Sequence, residues 1–421
     1  LPDGSTTTAL VPQVYLAPKT GDLAASGVLN GSLISAQSVR MALSGDVNNS
    51  GTIAGRKLVD IKARNIDNSG LIQGDVALLS ASQDININGG QVRAHSGMTL
   101  AAGGDLNLST TTHSAQTQTG ANSFARQGVD RVAGLYVSGP AGVLLASAGG
   151  DIQLTAAQLS NAGTGLTQLD AGGSVQLATV QVGVSQDLNW NATNYLRQSS
   201  QAELGSSIQG AGAVDIRAGK DVNLRAAQVN AQGALTVGAG GNVLIESGEQ
   251  TDTLAQGRQV TARGTLSKKT TTTRSSSEAT TALASELGGQ SVNIRSSGDT
   301  RIVGSNVVAD QDLTIAAGRD LKIEAAQNTQ SSSDFNETKK SGMFSSGGLG
   351  VSFGKQQLST DTRSTQTTAA ASTVGAIAGN VTLTAGQGYV QRGSEVSAPG
   401  GDISIQAKTV DIVEAREQGS Q

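Results

Sequence analysis

The sequence predicts an all-β fold in which short repeats stack as the coils of a parallel β-helix. Two observations carry this prediction: a nine-residue phrase returns at least seven times, and its copies follow one another at a nearly constant interval. A chain of 421 residues is long enough for two or three ordinary domains or for one long repeat array. The copies read AAGGDLNLS at 101–109, SAGGDIQLT at 147–155, DAGGSVQLA at 170–178, RAGKDVNLR at 217–225, GAGGNVLIE at 238–246, AAGRDLKIE at 316–324 and APGGDISIQ at 398–406.

Each phrase contains a short strand pattern after its glycine pair. Apolar and polar residues alternate there, as in Leu106-Asn107-Leu108, and a weaker pattern such as Leu313-Thr314-Ile315 lies between the phrases. Alternation with a period of two is typical of a strand that buries one face. A helical repeat is disfavoured, because Gly-Gly pairs recur where a helix would run.

The residue after the glycine pair is a convenient marker for the repeat length. The interval from Asp84 to Asp105 equals that from Asp299 to Asp320, at about 21 positions. A unit of about 20 residues, built as strand, turn, strand and turn, cannot bury its apolar face alone and must stack on copies of itself. We expect about 13 coils, which at roughly 4.8 Å each form a rod about 60 Å long. A sandwich or barrel remains open, although such folds seldom keep a short fixed period.

The composition limits both the core and the partners. Hydrophobic residues make up 37% of the chain but aromatic residues only 2%, so the core must be filled by Val, Ile, Leu and Ala. The net charge of −4 offers no basic footprint for nucleic acid, and basic residues such as Lys220, Arg319 and Lys322 are scattered along the chain. The absence of cysteine excludes disulfides, thiol nucleophiles and cysteine-ligated zinc.

The marker residues are interpreted as turn formers rather than as ligands or acids. Asp, Asn or Ser after a glycine pair can accept backbone N–H bonds in a turn. Glycine–aspartate repeats also occur in calcium-binding arrays, but those need a nine-residue period, and the period here is about 21. The two histidines, His95 and His113, lack a ligand neighbour three or four residues away and are expected at the surface.

No enzymatic motif is present, and we predict no catalytic, cofactor-binding or metal-binding residues. A β-helix that cleaves polysaccharide is the rival enzyme class. Such an enzyme would need clustered Asp, Arg or Lys on one face and an aromatic stripe for sugar stacking, and neither is visible. The chain is therefore predicted not to be an enzyme.

Four Ser-, Thr- and Gln-rich stretches interrupt the repeats. Alternating Thr and polar residues suit exposed strands, so we interpret the stretches as long β-hairpins or loops that project from the coils, with SGGLG at 346–350 as one turn. Disorder is the alternative, because polar low-complexity tracts bury little surface. The predicted organisation is an N-terminal linker segment at 1–20, then a repeat domain at 21–421 with insertions near 110–140, 189–211, 247–289 and 327–377.

One insertion holds the candidate contact site. The stretch KKSGMFSSGGLGVSFG at 339–354 contains two of the four phenylalanines in the chain. Exposed aromatic residues beside cations suit a membrane interface or a partner groove, whereas the alternative is that they pin the hairpin onto the coil. The candidate contact residues are Lys339, Lys340, Met343, Phe344 and Phe353.

The only tryptophan, Trp190, lies near Tyr195 in NWNATNYLRQ. Two functions are conceivable for this pair: a packing plug at the end of a coil or a binding site. The packing plug is the preferred interpretation, since large aromatic side chains are usually buried.

The region 290–406 carries the most specific pattern of the chain: RIVGSNVVADQDLTIAAGRDLKIEAA, then KKSGMFSSGGLGVSFG, then STVGAIAGNVTLTAGQGYVQRGSEVSAPGGDISI. These stretches resemble the haemagglutinin-repeat region of filamentous-haemagglutinin-like exoproteins of Gram-negative bacteria. Within that group they most resemble the CdiA-type effectors of contact-dependent growth inhibition. In those effectors the later repeats follow a segment similar to LVPQVYLAP, found here at 10–18.

The resemblance implies two-partner secretion: an unfolded chain leaves through an outer-membrane transporter and folds into a right-handed β-helix. It places the protein outside a Gram-negative cell, secreted or on the cell surface, with a stay in the periplasm before deployment as a further expectation. A signal peptide, a transport domain and a C-terminal toxin would lie outside this segment.

The expected function is display of that toxin and its translocation into target bacteria. The alternative is an adhesin segment that binds host or bacterial surfaces. Expected partners are the transporter and a target-cell envelope or surface receptor, with no nucleic acid, and the segment itself is expected to be a monomer without cofactors.

Overall fold

The computed structural model describes residues 32–345 and 351–420. The linker segment predicted at 1–20 and the turn predicted at 346–350 lie outside the described residues. All 41 elements in the described part are β-strands. Within these residues there is no candidate membrane-spanning helix.

Two parallel sheets enclose one continuous apolar core, and the predicted right-handed parallel β-helix is confirmed. Each coil gives one strand to a twelve-stranded sheet, here called the short sheet. The same coil gives one bent strand or two successive strands to a twenty-stranded sheet, the long sheet. The described residues therefore form 12 coils, one fewer than the estimate from the sequence.

The strands are short, as a coil of about 20 residues requires. The short sheet consists of Val47–Asn49, Ile66–Asn68, Ile85–Asn88, Leu106–Ser109, Ile152–Thr155, Val175–Ala178, Val222–Arg225, Val243–Glu246, Thr300–Val303, Leu321–Glu324, Gly388–Arg392 and Thr409–Val413. The long sheet consists of Leu33–Ala42, Thr52–Ala63, Leu71–Ala81, Gln91–Ala102, Gly134–Val137, Val143–Ala148, Gln158–Asn161, Thr167–Ala171, Ser207–Gly210, Val214–Ala218, Gln228–Ala231, Ala234–Ala239, Glu286–Gly289, Ser291–Ser296, Asn306–Ala309, Leu313–Ala317, Thr373–Ala376, Val381–Ala385, Glu395–Ser397 and Ile403–Gln406.

The repeated phrases stack in register, and this produces the core. Leu108 pairs with Leu154, which in turn pairs with Leu177 of the next coil. Leu224 continues the same column and pairs with Ile245. All five side chains are buried, so this column is a ladder of aliphatic groups without polar atoms. Burial of such side chains is the main source of stability for a fold with so few aromatic residues.

The marker residues hold successive coils together. Asp105 Oδ1 accepts the backbone N–H of Asp151 at 2.8 Å, and Asp221 Oδ1 accepts that of Asn242 at 2.7 Å. The markers thus bond to the turn of the following coil rather than to their own turn. A side chain on Gly149, the first glycine of the pair before a marker, would collide with the backbone one coil earlier. Glycine is required there because the stacked backbones approach so closely.

Tyr389 is the only aromatic side chain buried in the described core. It occupies a position in the short sheet where Leu321 stands one coil earlier. Its hydroxyl donates a hydrogen bond to Gln391 Oε1 at 2.9 Å. Burial raises the pKa of Tyr389 to about 12 from an ordinary value of 10.0, because the phenolate would lose its hydration.

This burial predicts a loss of stability in alkali. Between pH 10 and 12 the unfolded chain releases the phenolic proton while the folded chain keeps it, so the stabilisation present below pH 10 declines as pH rises. We expect the free energy of unfolding to fall by on the order of 1 kcal/mol between pH 8 and pH 11 in the unaltered chain. Tyr389→Phe should remove this decline, as measured by urea unfolding at the two pH values. Tyr195→Phe on a projecting hairpin is the matched control. An equal alkaline decline in Tyr389→Phe would contradict the assignment.

Candidate functional site

The four polar insertions fold as β-hairpins. Each hairpin leaves the solenoid at the same corner, after a strand of the short sheet and before a strand of the long sheet. The second begins at Val180 rather than near residue 189, because its first strand already alternates Val and polar residues. The hairpins span 111–131 (hairpin 1), 180–204 (hairpin 2), 248–283 (hairpin 3) and 326–370 (hairpin 4).

The hairpins do not project separately but pair side by side into one antiparallel sheet, the hairpin sheet. Hairpin 1 pairs with hairpin 2 through Ala125 and Ser185, and hairpin 2 pairs with hairpin 3 through Ala202 and Gln250. The sequence patterns did not predict this assembly. Its nine strands are Thr111–Thr119, Asn122–Arg131, Val180–Asn191, Asn194–Leu204, Gly248–Arg263, Ser267–Leu283, Ala326–Ser345, Val351–Ala370 and Gln418–Ser420.

Hairpins leave from alternate coils, and strand geometry explains why. Neighbouring strands lie about 4.8 Å apart, so one coil raises the chain by about 4.8 Å whereas a two-stranded hairpin occupies about 9.6 Å of sheet. A hairpin on every second coil therefore meets the next hairpin at hydrogen-bonding distance. The intervening coils turn the same corner with one residue of positive φ, such as Ala156 (φ 48°), Ala226 (φ 46°) or Gly304 (φ 54°).

A partly buried ion pair fixes the base of the hairpin sheet. The Arg225 guanidinium, in a coil without a hairpin, binds Glu203 of hairpin 2 at 2.8 Å and Glu246, just before hairpin 3, at 3.0 Å. These bonds raise the pKa of Arg225, chiefly through Glu203. Consecutive hairpins are thus tied to the same intervening coil.

The hairpins lengthen along the chain. Their strands contain 9 and 10, then 12 and 11, then 16 and 17, and finally 20 and 20 residues. Each hairpin therefore extends past the end of the one before it. At about 3.3 Å per residue, hairpin 4 spans roughly 65 Å.

The predicted contact residues lie at the far end of hairpin 4. Met343 and Phe353 are directly opposed across its two strands, and their side chains are 44% and 73% exposed. Lys339 lies on the same face by strand alternation and forms an ion pair with Glu337 at 2.8 Å. Lys340 lies on the opposite face. The side chain of Phe344 lies outside the described residues.

Strand pairing also gathers cations that are far apart in the sequence. Arg263, Lys268 and Lys355 lie in one cross-strand row, with Ser341 between the last two. On the other face Lys269 is directly opposite Lys340. Directly opposed like charges destabilise a sheet, so these pairs lower the stability of the hairpin sheet at this end.

These residues belong to what we call the cationic tip, formed by segments 258–274 and 335–358. The tip holds eight cations and one carboxylate, Glu337, which gives it a net charge of +7. Because the whole chain has a net charge of −4, the remainder of the chain carries −11. The interpretation of the basic residues as scattered is thus wrong for the two longest hairpins. The eight cations are Arg258, Arg263, Lys268, Lys269, Arg274, Lys339, Lys340 and Lys355.

Comparison with a known family identifies the repeat. The family model described as hemagglutinin repeat matches residues 44–135, 125–262 and 263–418. The chain belongs to the hemagglutinin repeat family. No solved structure matches this hemagglutinin repeat chain.

Three curated relatives are similar to most of this repeat segment. A "tRNA nuclease CdiA" of Escherichia coli strain STEC_O31 is 33% identical over 96% of the chain, and a "16S rRNA endonuclease CdiA" of Enterobacter cloacae is 30% identical over 96%. A "Deoxyribonuclease CdiA" of Dickeya dadantii is 32% identical over 85% of the chain. The chain spans 14%, 14% and 11% of the length of these relatives.

Within the described residues of the hemagglutinin repeat segment, no three His, Asp or Glu side chains are placed to hold a metal ion. His95 bonds to Ser138 Oγ at 3.2 Å, and His113 is exposed on hairpin 1, opposite Gly128. The segment is a structural repeat region. The hairpin sheet gives this segment an extended exposed surface.

Proposed function

We propose that this segment displays and helps to translocate a toxin carried elsewhere in a secreted contact-dependent inhibition protein. Relatives that match nearly the whole chain are named as nucleases for three different nucleic acids. Different activities joined to one repeat pattern support a shared carrier role, with the nuclease chemistry outside the matched residues. An outer-membrane transporter of the two-partner type would export the chain, and the protein would act at the surface of a Gram-negative cell.

The observation that carries this proposal is the cationic tip beside exposed apolar side chains. Phe353 and Leu358 are 73% and 69% exposed on the outermost strand of hairpin 4, and Met343 is opposite Phe353. Water-exposed apolar groups near cations suit an anionic lipid surface, where the phosphates pair with the cations while aromatic rings enter the interface. The outer membrane of a target bacterium is such a surface.

Electrostatics favours contact between an anionic membrane and the tip rather than between the membrane and the solenoid. Each Lys or Arg near an anionic membrane contributes about 1 kcal/mol. The tip carries +7, whereas the remainder of the chain carries −11 and is repelled. The tip is therefore expected to approach the membrane first, with the solenoid held away by up to the length of hairpin 4.

Vesicle binding tests the role of the cations. The tip variant replaces four cations with glutamine, and we expect at least tenfold weaker binding to vesicles of two parts phosphatidylcholine and one part phosphatidylglycerol, measured by co-sedimentation. Binding by the unaltered chain should also weaken as salt rises from about 50 to about 300 mM. The tip variant carries Lys268→Gln, Lys269→Gln, Lys340→Gln and Lys355→Gln, and the matched control carries Lys57→Gln, Lys62→Gln, Lys220→Gln and Lys408→Gln on the coils.

The apolar part of the tip is tested by replacing Met343, Phe344 and Phe353 with serine. Because the described members of this set are exposed, the melting temperature of the solenoid should change by less than about 2 °C, while vesicle binding and toxin entry fall. A large loss of stability would show that these residues pin the hairpin to the coil. Equal binding of the tip and control charge variants, with unchanged entry, would reject the membrane contact.

A further inference from the structure

We infer that a groove on the hairpin sheet is a binding site for a short neutral oligosaccharide. The groove lies where hairpin 2 ends against the longer hairpins 3 and 4, and its volume is about 1070 Å³. Its lining includes Trp190, Gln256, Arg258, Asp334, Asn336 and Thr360. The groove shares Arg258, Arg274 and Asn336 with the segments of the cationic tip, but its lining includes neither Phe353 nor the cross-strand row of Arg263, Lys268 and Lys355.

The step in hairpin length creates the groove. Strands of hairpins 3 and 4 continue past the tip of hairpin 2 and form the floor. Arg258, Thr273, Asn336 and Thr360 form one cross-strand row of that floor. A second row two residues nearer the base includes Gln256 and Asp334, and alternation places both rows on the same face.

Trp190 forms the wall. It is the only tryptophan of the chain, and its side chain is 67% exposed. The interpretation of Trp190 as a packing plug at the end of a coil is therefore wrong. Its supposed companion Tyr195 is in the next strand, opposite Asn189, with the guanidinium of Arg197 4.8 Å from its ring. An exposed indole leaves a large apolar surface in contact with water, which is unfavourable unless a ligand covers it.

The wall is held rigidly, so the groove is preformed. Asn191 Oδ1 accepts the backbone N–H groups of Thr193 and Asn194 at 3.0 and 2.9 Å and closes the turn of hairpin 2. Asn194 Oδ1 then accepts the N–H of Gln259 at 2.7 Å, which ties this turn to hairpin 3. A preformed site loses less conformational entropy on binding.

The chemistry of the lining selects the ligand. The lining offers amide groups, hydroxyl groups, the guanidiniums of Arg258 and Arg274 and the carboxylate of Asp334, which supply both donors and acceptors with a net charge of only +1. A purely apolar ligand would leave these groups unpaired, and a nucleic acid would need a larger surplus of cations. A sugar ring has an apolar C–H face, which suits the negative face of an indole, and hydroxyl edges that suit amides.

The single tryptophan makes the test direct, because its fluorescence reports on the groove. The full chain is titrated with maltohexaose, chitotetraose, mannohexaose and the dephosphorylated core oligosaccharide of a bacterial outer membrane. We expect at least one of them to shift the Trp190 emission to shorter wavelength in a saturable manner. No change with any of the four would overturn the inference.

Variants separate the groove from other surfaces. Trp190→Ala should weaken binding of that oligosaccharide at least tenfold in calorimetry, whereas Trp190→Phe should retain part of it. The double variant Asn336→Ala and Thr360→Ala keeps the fluorophore and should also bind at least tenfold more weakly. Phe353→Ala at the tip is the control and should bind normally. Equal affinity of Trp190→Ala and the unaltered chain would refute the site, as would binding lost only in the tip charge variant.

Discussion

Deletion of one coil between hairpins 2 and 3 is expected to split the hairpin sheet while the solenoid stays folded. Removing residues 219–239 takes out one full repeat and joins Ala218 to Gly240, which occupy successive positions of the same turn. The two hairpins would then leave from consecutive coils about 4.8 Å apart, whereas each needs about 9.6 Å of sheet. The strands Asn194–Leu204 and Gly248–Arg263 could no longer occupy adjacent positions.

Hydrogen exchange measures this outcome. In the unaltered chain Ala202 and Gln250 pair across the junction between hairpins 2 and 3. Backbone amides near this pair should therefore be protected from exchange. In the deletion variant this protection should be lost, while that of core residues in the remaining coils, such as Ile245, persists. The matched control removes residues 84–104, a repeat of equal length that precedes every hairpin of the described chain. Retained protection at the junction after deletion of 219–239 would disprove the alternate-coil rule.

Leu224→Asp is expected to abolish cooperative folding of the central coils. The Leu224 side chain is fully buried between Leu177 and Ile245. An aspartate there would have neither water nor a cation, and an unpaired charge in such a core costs several kcal/mol. Because each coil contacts only its neighbours, one broken coil also interrupts stacking on both sides.

The matched control is Asn223→Asp, which adds the same charge one residue away on the outward face of the same strand. It should change the free energy of unfolding by less than about 0.5 kcal/mol. Circular dichroism during heating distinguishes the two variants. A cooperative transition of Leu224→Asp at the temperature of the control would mean that the assigned register of this strand is wrong.

The sequence by itself determined the solenoid. Alternation in stretches such as Leu106-Asn107-Leu108 decides which side chains enter the core, and a period near 21 leaves stacking as the only way to bury them. The marker aspartates could likewise be recognised as turn residues from glycine pairs. Local chemistry sufficed for these features because every coil repeats the same short-range pattern.

The same local reasoning selected Lys339, Met343 and Phe353 as candidate contact residues. Exposed apolar groups in an otherwise polar hairpin are unusual, whatever the tertiary structure around them. It did not reveal how the hairpins associate. Ser-, Thr- and Gln-rich strands carry little information about partner or register, since both faces are polar and many pairings are nearly equal in energy.

Only the tertiary structure decided that association, and with it both proposed sites. The rise of the solenoid sets the distance between hairpin origins, and this distance selects alternate coils and one pairing register. That register brings Lys268 into one row with Lys355 and places Trp190 in one groove with Asn336, although the members of each pair are far apart in the sequence. No local pattern could encode these neighbours, because their proximity depends on the accumulated rise of the coils between them.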